Sequence, residues 1–121
     1  MRWIKQKSHT KICGQIAIAV ITGKPLKEIL KVIDELDGTT IKELADILHY
    51  YGYSCPDRLL TVKRPTLAIA KVTHPLRRYT HHWVVVYKDK IYDGIWGNSK
   101  GEVKWPRGYK ITSYLPITKI N

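Results

Sequence analysis

Cysteine is scarce in this chain: of 121 residues only Cys13 and Cys55 carry a thiol. One disulfide between them is possible on arithmetic alone, but two cysteines do not make the framework of a small secreted scaffold. No Cys-x-x-Cys or His-x-x-x-His spacing occurs, so the usual ligand pattern of a structural zinc site is missing, and the thiol chemistry argued below implies no cofactor. Long apolar runs are missing too. The stretch Ile16–Ile21 is far too short to span a bilayer, which takes roughly 18 or more apolar residues. Residues Met1–Lys7 are basic, as at the start of a signal peptide, but the apolar run behind them is short and no small-residue cleavage site follows. The expectation is a protein made and kept in the cytoplasm. Acidic residues are few, 10 against 21 Lys plus Arg, which leaves a formal charge of +11. Such an excess attracts nucleic acid, anionic membrane or an acidic protein. The positive residues are nevertheless scattered from Arg2 to Lys119, with short concentrations at Lys5–Lys11, Lys63-Arg64 and Arg77-Arg78. A well-solvated surface accounts for that scatter more simply.

What is present fits one ordinary globular domain over residues 1–121, with no internal repeat, low-complexity tract or linker. At 44% hydrophobic and 26% charged, the composition excludes wholesale disorder. After an irregular polar lead-in, the apolar stretch from Cys13 to Ile21, stopped by Gly23, predicts a largely buried helix. Pro25 suits a first helical position, and Leu26, Ile29, Leu30, Ile33 and Leu36 recur at helical spacing, so a second helix is predicted over 25–36. Thr40 and Glu43 have the spacing of a capping box ahead of a third helix, Ile41 to about Tyr50, with Gly52 as its stop. Beyond Pro56 the pattern changes. Thr66–Val72, Trp83–Tyr87, Lys90–Asp93 and Tyr109–Leu115 are short and rich in β-branched and aromatic residues, and they read as strands. Helices first and strands second predict an α+β fold, an N-terminal helical half packed on a mainly antiparallel sheet.

Three residues in this arrangement can carry chemistry. Cys13 stands at the start of the first buried helix, where unpaired backbone N–H groups and the helix dipole favour a thiolate. Taken alone it reads more readily as a small apolar packing residue. Cys55 precedes a proline in a loop and has no such setting. His82 begins the most apolar strand, on the face of Val84 and Val86; its rival His81 shares the other face with Trp83 and Val85. A two-residue connection at Lys88-Asp89 or Asp89-Lys90 sets Asp93 opposite Val84 or Val86, hence on the face of His82. A three-residue connection would reverse that parity, and Asp93-Gly94 also reads as a plain turn. A thiol, a base and an acid that orients the base are the parts of an activated nucleophile.

The succession Cys13-Gly14 with the Gln15–Ile21 helix, Thr39-Thr40-Ile41-Lys42-Glu43-Leu44 before a helix ending Tyr51-Gly52-Tyr53, His82-Trp83-Val84-Val85-Val86, and Ile91-Tyr92-Asp93 resembles the papain-like cysteine peptidase superfamily. Within it, the chain is most similar to the bacteriocin-leader (double-glycine) peptidase-like group and to compact relatives carried by bacteria and phages. The resemblance implies a papain-like fold, with Cys13 as nucleophile, His82 as general base and then acid, and Asp93 as the orienting residue. It also implies an oxyanion-hole glutamine upstream of the cysteine, for which Gln6 is the candidate, one residue further away than the usual spacing. A peptide or protein substrate follows, though not the transporter-linked leader substrate, since no transporter segment accompanies these motifs. Two other functions stay open on the sequence. One is acyl transfer to an amine by the same three residues. The other is a basic binding or inhibitor module for a host protein or nucleic acid, with Trp96, Trp105 and Tyr109 as stacking aromatics. Substrate selection would then fall to the loops Val72–Thr80 and Trp96–Trp105.

Overall fold

The computed structural model describes residues 4, 12–33, 40–74, 77–96, 103–105 and 107–120, with the backbone alone for 77–81. Three helices precede the strands: α1 (Cys13–Thr22), α2 (Leu26–Val32) and α3 (Ile41–Tyr50), then β1 (Tyr53–Ser54), β2 (Leu67–His74), β3 (Arg77–Tyr87), β4 (Lys90–Tyr92), β5 (Lys110–Pro116) and β6 (Thr118–Lys119). The fold is α+β. A four-stranded sheet runs β4-β3-β2-β5 with every neighbouring pair antiparallel, and β1 pairs with β6 in a separate two-stranded ribbon. Among the described residues no helix is long and apolar enough to cross a membrane.

α1 is buried along its whole length from Gly14 to Ile21, because it lies between α2, α3 and the sheet and packs chiefly on β3. A helix that is apolar all round can be stable only in such a place. Gly23 ends it in the left-handed conformation, φ 72°, and returns its N–H to Ala19 O at 2.9 Å. The buried Tyr53 hydroxyl donates to Ile21 O at 3.1 Å, which ties β1 to the same helix end. α3 begins with the capping box expected of it: Glu43 N donates to Thr40 Oγ1 at 3.2 Å, and Thr40 N to Glu43 Oε1 at 3.0 Å.

α2 corrects the expectation of a helix over 25–36. It spans Leu26–Val32, and Pro25 is its cap, with extended ψ of 141° and a carbonyl that accepts from Glu28 N and Ile29 N. The chain turns extended at Ile33 (φ −126°, ψ 100°), which is still buried. Periodicity shows which residues seek the core but not that Ile33 gets there by leaving the helix. Leu36 lies outside the described residues. The strands also run differently from expectation at their ends. β3 starts at Arg77, well before the apolar Trp83, and pairs back on β2 through His74↔Arg77. The stretch 72–80, expected as a loop, is therefore largely strand. β1 and β6, two residues each, are too short to leave a period in the sequence.

The sheet has two apolar faces. Ile69, Trp83, Val85 and Leu115 join the helices in the main core. Ala70, Val72, Val84 and Val86 form a second cluster with Trp105, Tyr109, Ile111 and Tyr114. Full burial of each Ile, Leu or Val side chain is worth about 1.5–3 kcal/mol, so both faces hold the sheet in its register.

Candidate active site

β3 and β4 are joined by the two residues Lys88 and Asp89, with Tyr87↔Lys90, Val86↔Ile91 and Val85↔Tyr92 in register. Lys88 takes the positive φ, 55°, that so tight a connection requires. Continued by one residue, the register sets Asp93 opposite Val84, on the face that His82 shares. β4 ends at Tyr92, and the chain turns through Gly94–Trp96 beside the stretch of β3 that carries His82. The pairing of β2 with its neighbours shifts close by, between Lys71 and Val72 on one side and Val72 and His74 on the other. Such irregularities bend a strand and re-aim its side chains, and they are frequent next to sites.

Asp93 is wholly buried and His82 nearly so. His82 Nε2–H donates to Asp93 Oδ1 at 2.8 Å. An ionised carboxylate only accepts, so this bond places a proton on Nε2 and leaves Nδ1 for a second partner; the Cys13 side chain lies near enough to favour the charged ring. Asp93 Oδ1 accepts from Ile95 N at 2.9 Å and Trp96 N at 3.0 Å, and Oδ2 accepts from Trp105 Nε1 at 2.5 Å. Asp93-Gly94 is thus a turn, and the Asp93 carboxylate that partners His82 also caps the turn it opens.

The electrostatics follow from these contacts. Burial works against the charged form of His82, but hydrogen bonds to Asp93 and Cys13, with their charges, outweigh it and raise the imidazolium to about 9. Burial likewise opposes the Asp93 carboxylate. The bond and charge of His82, together with the donors on Trp105 and Trp96, hold it below the ordinary carboxylate value. Cys13, half-buried, opens α1 without a side-chain cap and without an acidic residue in the first turn. Its backbone N–H faces out of the helix end, where anionic charge is favoured.

A chain of rings covers the histidine. Trp96 meets His82 edge-on at 5.0 Å, Tyr109 meets Trp96 at 5.3 Å, and His74 meets Tyr109 at 5.0 Å. Gly108, at φ 92°, lies so close to His74 that a Cβ there would collide with its imidazole ring. The turn at 107–108 can pass only as glycine, and it brings Tyr109 under Trp96.

Of the residues singled out by the sequence, Cys13, His82 and Asp93 come together, and Gln6 lies outside the described residues. Both cysteines are free thiols. Cys55 also has a histidine nearby, His49 Nε2 at 3.7 Å from its Sγ, but that nitrogen is hydrogen-bonded to Cys55 O at 3.0 Å. Burial, and then the charge of Asp46, push the Cys55 thiol up and away from thiolate. Trp105 was not legible as a partner of Asp93. Two tryptophans following the acid are visible in the sequence, but nothing there marks one indole N–H as aimed back at it. Among the described residues no cluster of three or more His, Cys, Asp or Glu side chains is arranged to hold a metal. No protein-family model matches the chain, and no curated protein matches its sequence.

Proposed function

We propose that this protein is a papain-like cysteine hydrolase that cleaves a peptide or isopeptide bond through an acyl-thioester on Cys13. The observation that carries the reading is one buried imidazole held between a thiol at a helix start and a buried carboxylate. The order of elements supports it as well, with the cysteine opening the first buried helix and the histidine on the antiparallel sheet behind it.

In the reaction, Nδ1 of His82 holds the proton given up by the Cys13 thiol, and Sγ attacks the substrate carbonyl carbon. The C=O electron pair moves onto oxygen, where the outward-facing Cys13 N–H stabilises it. Collapse of this intermediate breaks the C–N bond, and the departing amine takes the proton from Nδ1. Water then gives a proton to Nδ1 and attacks the thioester carbon. Sγ leaves, and the second product is a carboxylic acid. Asp93 keeps the ring oriented and its charged form stable throughout. Two free thiols suit a reducing compartment, and the cytoplasm is the proposed location.

The test is alkylation by iodoacetamide at pH 6, read by mass spectrometry for each cysteine. Cys13 should react at least ~10-fold faster than Cys55, since only a thiolate is nucleophilic. His82→Ala should remove the difference, and Cys13→Ala should leave the circular dichroism spectrum unchanged. Slow, equal labelling of both thiols in the parent chain overturns the proposal. With a cleaved peptide in hand, an added amine separates hydrolysis, which gives the acid, from transfer, which gives a conjugate.

A further inference from the structure

Trp105 takes no part in the chemistry above, yet its indole N–H ends on the acid of the site. A buried carboxylate is costly unless its oxygens are hydrogen-bonded. His82, Ile95 N and Trp96 N converge on Oδ1, and Trp105 Nε1–H reaches Oδ2. The indole ring packs against the cluster of Ala70, Val72, Val84 and Val86, so the direction of its N–H is set by the sheet. An indole N–H donates only and does not titrate, which makes it a fixed constraint at every pH of interest.

We propose that Trp105 is a positioning residue of the site: its N–H holds the Asp93 carboxylate at one angle to His82 and ties residues 103–105 onto the acid. The inference rests on the hydrolase reading, in which Asp93 orients His82. It also gives one of the surplus aromatics an internal task in place of base stacking. Without the N–H, Oδ2 would lose a donor in a dry setting. The protonated carboxyl would be favoured and the group would be freer to turn away from the imidazolium.

The test compares the parent with Trp105→Phe, which keeps an aromatic ring and removes the donor. If that ring packs too poorly to fold, β-(3-benzothienyl)alanine at 105 keeps the bicyclic shape and still lacks the N–H. Trp96→Phe is the control, because its donor to Asp93 is the backbone N–H, which survives. NMR titrations of the Asp93 carboxyl carbon and the His82 ring are followed in each. In the Trp105 variants the Asp93 midpoint should rise by about one unit, a tenfold gain in proton affinity, and the His82 midpoint should fall. Trp96→Phe should leave Asp93 in place. An Asp93 midpoint indifferent to Trp105, or moved equally by Trp96→Phe, would reduce Trp105 to packing and overturn the proposal. The readout needs no turnover. A Cys13 whose alkylation ignores His82 would therefore sink the hydrolase reading, while the Trp105 titration would still decide the coupling to Asp93.

Discussion

The charge on His82 bears on stability, because the folded chain binds its proton more tightly than an unfolded chain would. An exposed imidazole titrates near 6.5, whereas in the fold its value is raised to about 9. Below pH 6.5 both states hold the proton, and the folded state's preference for it counts in full. Between 6.5 and 9 the unfolded chain releases the proton while the folded chain keeps it, so stability falls with rising pH. Asp93 has the opposite sign: its value is lowered in the fold, so its contribution is present above about 3.9 and lost as pH falls through its folded value. The urea midpoint of the parent, compared with that of His82→Ala, should show the widest gap near pH 5–6, narrowing by pH 9. A gap constant over that range would mean that the imidazolium is not favoured in the fold. At this scale the placement of His82 and Asp93 was legible in the sequence. Strand alternation separates His82 from His81, and the short connection puts Asp93 on the face of His82. The hydrogen bond from Trp105 was beyond reach, because it depends on where a distant indole comes to rest.

The β3–β4 connection is the element on which the site turns. Strand side chains alternate with a period of two, so one extra residue moves everything beyond it to the opposite face. A glycine inserted between Lys88 and Asp89 should carry Asp93 away from the face of His82, and the rapid alkylation of Cys13 should fall to the level of His82→Ala. The sheet, whose larger pairings lie between β2, β3 and β5, should survive and keep its circular dichroism signal. Unchanged Cys13 reactivity would show that the turn absorbs the insertion and does not fix the register. Elements with strong local signals were legible for physical reasons. α1 has an apolar stretch and a glycine stop, and α3 has a capping box whose bonds the fold contains. The expectation for α2 runs past its end because Ile33 and Leu36 keep the helical spacing, although a β-branched residue such as Ile33 gives up rotamer freedom in a helix. The early part of β3 was missed because Arg77-Arg78 are charged, and its pairing with β2 is a tertiary fact. β1 and β6 exist only because distant segments meet.

Across the whole molecule, an excess of 21 basic over 10 acidic residues makes the folded state repel itself. The exposed pair Lys42–Asp46, at 3.5 Å, is of the surface kind that offsets little of this. Raising NaCl from about 20 mM to about 200 mM shortens the screening distance from roughly 20 Å to 7 Å, and the thermal midpoint should rise. A midpoint that falls with salt would mean that attractive pairs outweigh the repulsion. The element order has a consequence in time. During synthesis α1, with its cysteine, leaves the ribosome well before β3, the turn after Asp93 and Trp105 have been made. A thiol awaiting its imidazole has no partner to activate it. On the proposed hydrolase reading, the growing chain would therefore pass through translation chemically quiet, its thiol activated only once β3 and the rings of Trp96 and Tyr109 come to rest around the histidine.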